Sequence, residues 1–412
     1  MNTEHIKLPN SWSHRKLNEI ATVTAGGTPS TKIPDYWGGD IPWMNSGEIN
    51  LKRIKSVEGR ITELGLSKSS TKIIPKNSIL LALAGQGTTR GKVAINEIDL
   101  CTNQSLAAIM PSKECNYEFL FQNLESRYQE LRKLSTGDSG RGGLNLTIIR
   151  DIVISLPPLP EQQKIADILT TVDHKLENIE SQIAEYTKLK TGLMQQLLTK
   201  GIGHTKFVDS ELGMIPEGWE IMMIRNIGEV ITGTTPPTKN TEYYSDSRTE
   251  YLWAAPGDLG DNKYIHQTNK TLSKLGFQQI RRLPPKSILV TCVGSTIGKI
   301  GLAIKEMSTN QQINSIVCKK DVEPDFVYYY LQLKKDYIKS LAGTHAVPLL
   351  NKTSFSNILV PIPPLSEQIQ IASILTSVDD KTESLQQKKQ EFSNLKKGLM
   401  EQLLTGRIRV KV

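Results

Sequence analysis

LPPLPEQQKIADILTTVD, residues 156–173, recurs as IPPLSEQIQIASILTSVD, residues 362–379. The two passages start 206 positions apart in a chain of 412 residues, half its length. Aligned without gaps, residues 156–199 and 362–405 are identical at 24 of 44 positions. Identity is densest at the ends, PPL.EQ and IA.ILT.VD at the start and LK.GLM.QLLT at the finish. Weaker matches fill the rest of each half. SWSHRKLNEIATVTAGGTPS from Ser11 lines up with GWEIMMIRNIGEVITGTTPP from Gly218. TNQS at Thr102 answers TNQQ at Thr309, and LNLT at Leu144 answers LNKT at Leu350. This is a chain built as two copies of one unit, with the framing kept and the interior changed.

The repeated segment reads as a long helix. Pro157 and Pro158 exclude helix before it, and Glu161 suits a first turn near the positive end of the dipole. In the second copy Ser366 stands where an N-cap is expected. Apolar residues then alternate at spacings of four and three: Ile165, Leu169, Val172, Leu176, Ile179, Ile183, Tyr186, Leu193 and Leu197, with Lys190 as the gap. The second copy gives Ile371, Leu375, Val378, Leu385, Phe392, Leu399 and Leu403, with gaps at Thr382, Lys389 and Lys396. Such a seam is that of a coiled coil, and polar gaps lower stability while fixing register. A helix of about 39 residues at ~1.5 Å each runs roughly 58 Å. Both seams need a partner and lie in one chain, so antiparallel pairing with each other is expected; the alternative is two amphipathic helices packing on their own domains. Gly192 and Gly398, late in the helices, suggest close approach of another helix or chain.

Composition is that of a globular protein, with no apolar run long enough to span a membrane and no basic-then-apolar leader. The four cysteines form no CxxC pair and the six histidines are scattered, so neither a disulfide framework nor a metal site is expected. A reducing cytoplasm fits. Net charge is +8. Residues 1–155 hold 19 Lys+Arg against 15 Asp+Glu, and residues 205–361 hold 18 against 15. Most of the excess therefore lies in two similar blocks, as two nucleic-acid contacts would have it.

Each block reads as mixed α/β. KNSILLALAGQGTTRGKVAI and KSILVTCVGSTIGKIGLAI look like paired strands joined by a glycine-rich polar turn. GSTIGKI has one residue too few for a phosphate loop and lacks the following Ser or Thr. No nucleophile elbow, zinc-protease helix or kinase set is present, and no adenine-methyltransferase tetrapeptide; Asp258, Asp261 and Lys263 make only a forced nuclease triad. The turns suit nucleic acid better. Gln86, Thr88, Thr89, Arg90 and Lys92 stand together, with Ser139 and Arg141 in a following loop. The second block offers Ser295, Thr296, Lys299, Thr344 and His345. Gln and Arg can read base edges, while Thr and Lys suit phosphates. The competing reading is that these turns merely close hairpins. GGTPSTK near Gly26 and GTTPPTK at Gly233 read as structural, because a shared feature cannot distinguish two half-sites.

The doubled PPLxEQxxIAxILxxVD…LKxGLMxQLLT, IPEGWE at Ile215, the GTPS turn and TNQQIN at Thr309 together resemble the specificity subunit of type I restriction–modification systems, across essentially the whole chain. The resemblance implies two target-recognition domains, 1–155 and 201–361, separated by two long helices, 156–200 and 362–412, in an intramolecular antiparallel coiled coil with a pseudo-twofold repeat. It implies that each domain reads one part of a bipartite asymmetric sequence in double-stranded DNA while the helices set the spacer. Two DNA methyltransferase subunits would dock on the helices, and two restriction (translocase) subunits can join. The chain itself would be non-catalytic, with S-adenosylmethionine, ATP and Mg2+ belonging to the partners. TGRIRVKV at the C-terminus is similar to the start of the KGIGHTKFVDSELG lead, so a C-terminal strand completing the first half is expected. Two rival readings are a stand-alone nuclease or methyltransferase and a coiled-coil adaptor that binds no DNA.

Overall fold

The computed structural model describes residues 8–85, 87–134, 143–245, 247–260, 262–343 and 347–411. The chain divides into two compact units, residues 1–181 with 387–412, and residues 182–386. The division falls inside both long helices, Leu159–Lys200 and Leu365–Leu403, rather than at their ends.

In the first unit a five-stranded sheet has the order Ala21–Ala25, Leu106–Pro111, Ile79–Ala82, Val93–Asn96, Arg53–Ile54. All pairs are antiparallel except the last. Successive side chains of a strand point to opposite faces. Ile79, Leu81, Val93, Ile95 and Ile109 thus join one core cluster, and Leu80, Ala82, Ala94, Leu106 and Ala108 another. Both faces are buried, which is why ILLA and VAIN carry almost no polar residue. The helix Tyr117–Ser126, capped by the Asn116 side chain, covers the first face with Phe119, Leu120 and Leu124. Ser13–Lys16 pairs with Val153–Leu156, which leads directly into the first long helix.

The second unit repeats this plan. Its sheet runs Gly228–Thr232, Ile313–Cys318, Ile288–Thr291, Ile300–Ala303, Tyr264–Ile265, again with only the last pair parallel. Glu220–Met223 pairs with Leu359–Ile362, which leads into the second long helix.

Each unit buries the start of one long helix beside the end of the other. Ile165, Ala166 and Leu169 share the first core with Leu403 and Leu404; Ile371, Ala372 and Leu375 share the second with Leu197 and Leu198. These are the stretches where the repeat is most nearly identical. The first half of the motif is fixed by contacts at the helix start. Trp12 Nε1 donates to Glu161 Oε2 and Trp219 Nε1 to Glu367 Oε2, both at 3.1 Å. Gln162 bonds the Asn116 amide and the Glu114 and Pro157 carbonyls, and Gln368 makes the same set with Glu323, Asp321 and Pro363. PPL.EQ is thus a staple between helix start and domain. The expectation for Ser366 is corrected: it lies inside the first turn, because the Pro364 carbonyl already accepts from the Glu367 and Gln368 amides.

The seam positions of both helices are buried or half-buried. In the first unit the helices meet antiparallel, with Lys389 Nζ 2.9 Å from Glu180 and Lys396 Nζ 2.6 Å from Asp173. In the second unit Lys190 Nζ lies 2.5 Å from Asp379, the repeat equivalent of the Lys396–Asp173 pair. The lysines that interrupt the apolar series therefore answer acids on the facing helix. Gly192 and Gly398 are exposed, and a Cβ built on either meets nothing within 4 Å, so among the described residues the expected close approach is not made.

The C-terminal strand is likewise corrected. Residues 406–411 contain no strand. Gly406 (φ 73°) and a bond from the Ile408 amide to the Gln402 carbonyl turn the tail back on the helix end. Arg409 then donates to both oxygens of buried Glu161, at 2.6 and 2.7 Å, and to Ser11 Oγ. The tail does meet the N-terminal segment, but through side chains rather than a ladder.

Candidate nucleic-acid interface

The glycine-rich turns are hairpin tips of matching geometry. In the first unit the Gly91 amide donates to the Ala82 carbonyl, the Ala82 amide to Lys92, and the Lys92 amide to Thr89. In the second unit Gly298, Thr291, Lys299 and Thr296 make the same three bonds. Gly91 (φ 81°) and Gly298 (φ 86°) are left-handed, and a built Cβ would lie 3.3 Å from Leu131 and 3.0 Å from Lys335. The repeated Gly-Lys is therefore the closure of a hairpin packed on the next helix, as only glycine allows without strain.

The segments that follow the second candidate loops run along these tips. The Leu144 amide donates to Leu83, the Leu350 amide to Cys292, and the Gly294 amide to Pro348. Hairpin tip and the residues just after each of those loops thus meet in each unit, although they are more than fifty residues apart in sequence. Gln86, Ser139, Arg141, Thr344 and His345 lie outside the described residues.

Of the remaining candidates, Thr88 and Ser295 are exposed, while Thr89, Arg90, Lys92, Thr296 and Lys299 are half-buried. The Thr88 carbonyl accepts from Tyr128 Oη at 2.7 Å, and Arg132 donates to the Gly87 carbonyl, so this turn is pinned to the helix Tyr128–Leu134. Lys92 Nζ donates to Asn50 Oδ1 at 2.6 Å, and Arg90 is itself engaged within the chain.

Sequence reasoning missed the surface beside the second turn. Tyr337, Leu341, Val347 and Leu349 are exposed there at 51, 38, 63 and 54 %. The Leu349 amide bonds Ala342, and Lys335 packs on Gly298, which places basic and apolar surface together. The available signal was the apolar pair in AVPLL next to a turn.

The GTP turns are internal joints. A Cβ on Gly26 would lie 2.2 Å from Thr102 Oγ1, and one on Gly233 would lie 2.1 Å from the Asn310 carbonyl. Trp43 and Trp253 indoles donate to the Gly27 and Thr234 carbonyls. GTP and TNQ recur together because they touch. Asp258 accepts from the Ala255 and Asn269 amides, and Lys263 Nζ bonds Tyr329 Oη and Thr376, so both serve structure; Asp261 is outside the described residues.

Among the described residues no cluster of three or more His, Cys, Asp or Glu could hold a metal ion, and no helix is long and apolar enough to cross a membrane. All four cysteines are free. Burial pushes the Cys115 and Cys318 thiols up to about 12 and Cys292 to about 11.

Comparison with known proteins gives a consistent picture. The type I restriction modification DNA specificity domain family matches residues 9–187 and again 216–394. A putative type I restriction enzyme MjaX specificity subunit of Methanocaldococcus jannaschii is 29 % identical over 99 % of this chain and 96 % of its own. The MjaVIII specificity subunit of the same organism is 27 % identical over 98 % and 95 %. A crystal structure of a type I restriction–modification S subunit from M. genitalium superposes with a TM-score of 0.64 at 16 % identity, covering 96 % of this chain and 97 % of its own.

Proposed function

This chain belongs to the type I restriction–modification DNA specificity family, and from that premise we propose that each unit reads one part of a bipartite, asymmetric DNA target. It is a specificity subunit carrying two DNA-specificity domains. In the reading offered, the hairpin tips and adjoining loops meet the DNA, Lys and Arg engage phosphates, and the divergent polar side chains meet base edges. The observation that carries it is the repeated tip: one backbone geometry carries Thr88, Thr89 and Arg90 in one unit and, at the matching positions, Ser295, Thr296 and the buried Ile297 in the other. Similar mounts with different tips are what two readers of different half-sites need.

The paired helices set the distance between half-sites and dock two methyltransferase subunits, which two restriction subunits can join. The exposed faces at Gly192 and Gly398 leave room for such docking. The chain itself is non-catalytic in this reading, and adenine-N6 methylation and ATP-dependent cleavage belong to partners that bind S-adenosylmethionine, ATP and Mg2+. The setting is the cytoplasm of a bacterium or archaeon.

The test is co-expression with the cognate methyltransferase in a methylation-free host, followed by mapping of methyladenine across the genome. A single split motif whose halves change separately when residues 83–92 or 292–299 are exchanged supports two readers. A stable complex without methylation, and without salt-sensitive DNA binding, would favour a protein adaptor instead.

A further inference from the structure

The repeat keeps certain exposed polar residues close to the turns where its two copies diverge. In the first unit Ala25 and Ala82 end their strands and pair with Ala107 and Leu106, which begin theirs. In the second, Thr232 and Thr291 pair in the same way with Asn314 and Ile313. The GTP turn, the TNQ turn and the hairpin tip therefore leave each sheet at one end. The inner atoms of GTP and TNQ form the joint already described, where the Gly27 amide donates to the Thr102 carbonyl and the Thr234 amide to Thr309.

Their outer atoms match as well. Thr28 Oγ1 donates to Gln104 Oε1 at 2.5 Å, and Thr235 Oγ1 donates to Gln311 Oε1. Both glutamines are exposed, so one neutral side-chain bond adds little to a joint that backbone bonds already close. Among the described residues neither Nε2 is bonded, and each carboxamide is left with donors alone. A few residues on, the Ile33 amide donates to the Ser30 carbonyl and the Asn240 amide to Pro237, closing the same turn twice. Its central residues are Thr31–Lys32 and Thr238–Lys239, all exposed, and neither lysine makes an ion pair among the described residues. Neighbouring positions are not kept: Ser30 answers Pro237, Ile33 answers Asn240, and Ser105 answers Gln312. Packing explains the identity of Gly26 and Gly233, but it gives no reason for identity at exposed glutamines and lysines.

Two half-sites of different sequence still share one chemical feature, the phosphate backbone, whose contacts position a protein without specifying bases. We infer that Gln104 and Gln311, each oriented by its threonine, donate to a DNA phosphate, one equivalent contact per unit, with Lys32 and Lys239 supplying charge from the adjoining turn. The inference rests on the two-reader function proposed above and assigns the repeated motif a part in it. Asp35 and Glu242 follow the lysines by three residues, so the neutral carboxamide rather than the cation carries the contact. A methyltransferase subunit could also meet both units alike. DNA is favoured because these turns share the sheet end with the divergent tips.

The experiment uses the full chain in complex with its methyltransferase, a duplex bearing the mapped motif and a scrambled duplex. Gln104→Ala and Gln311→Ala should each weaken binding to both duplexes by the same factor, about tenfold. The methylated motif and the thermal midpoint should stay unchanged. The salt dependence should also hold for these neutral substitutions, whereas Lys32→Ala should lower the slope of log affinity against log salt by about one. Replacing phosphates singly by methylphosphonate should weaken the wild-type complex at one position per half-site that the matching glutamine variant no longer senses. Unchanged affinity, a loss confined to the motif duplex, a fallen thermal midpoint or release of the methyltransferase overturns the inference. A wild-type complex that binds neither duplex overturns the two-reader function itself, so the two failures are distinguishable.

Discussion

Replacing Lys396 with methionine should loosen the helix pair of the first unit far more than the equivalent Lys190→Met does in the second. Lys396 is 7 % exposed, and its Nζ lies 2.6 Å from both Glu125 Oε2 and Asp173 Oδ1. Methionine keeps the length but leaves two carboxylates near each other in a shielded place. Removing one partner of a buried ion pair costs ~3–5 kcal/mol. Lys52 still reaches Glu125 and Gln122 still reaches Asp173, so about 3 kcal/mol is the fitting end of that range. Lys190 faces a single acid, Asp379, and the two side chains are 29 and 22 % exposed. Water takes up much of that loss, which should be about 1 kcal/mol.

Hydrogen exchange read by mass spectrometry separates the two sites. Peptides covering 165–180 should exchange about 100-fold faster in Lys396→Met, and peptides covering 371–385 should accelerate by less than about tenfold in Lys190→Met. The double variant Lys396→Met/Asp173→Leu should recover most of the loss, giving a coupling of about 2 kcal/mol. The reasoning fails if Lys396→Met changes protection less than tenfold, or if the two substitutions simply add. The same site predicts a pH dependence. Burial alone would raise the Glu125 carboxyl, but Lys396 and Lys52 outweigh it and hold it below the ordinary carboxylate range. With a depressed folded value, the unfolded chain takes the proton first as pH falls. The contribution is therefore complete above about pH 4.3, the unfolded glutamate value, and is lost as pH drops through the lower folded value.

Removing the tail after Thr405 takes Arg409 from Glu161 and should speed exchange in peptides covering 8–16 and 157–165, leaving the second unit unchanged; unaltered protection would show the tail to be dispensable. Gly91→Ala and Gly298→Ala should each cost about 1–2 kcal/mol, because alanine resists the left-handed backbone, and thermal unfolding midpoints measure it. At pH 8 the thiols of Cys115 and Cys292 should resist iodoacetamide in the native protein and react in urea, since burial keeps them protonated as well as covered. Rapid native labelling at either would contradict the packing described.

The repeat, the long helices and their antiparallel seam were legible from spacing alone, because a 3-4 apolar series has few uses other than a helix-to-helix contact. The hairpins were legible for a similar reason: short apolar runs on either side of a glycine-rich turn leave little choice of local structure. Ser366 misled because a good capping residue lies two positions too late when a Pro-Pro carbonyl can start the helix by itself. The tail misled because similarity to a strand-forming segment carries no information about whether a ladder partner is in reach. At the candidate interface, residue types singled out two polar turns, which the structure shows to be hairpin tips. They could not show that Lys92 is held by Asn50 or that the apolar surface around Val347 and Leu349 adjoins the Gly294 turn.

The sequence by itself determined that there are two copies of one unit, that each copy ends in a long helix, and that the copies differ at their polar turns, since periodicity and self-similarity are one-dimensional properties. Only the tertiary structure decided that each unit is completed by the end of the other copy's helix and that the seam lysines answer acids on the facing helix. Those facts depend on which residues, two hundred positions apart, are brought within a few ångströms, and contact of that kind is set by packing rather than by local pattern.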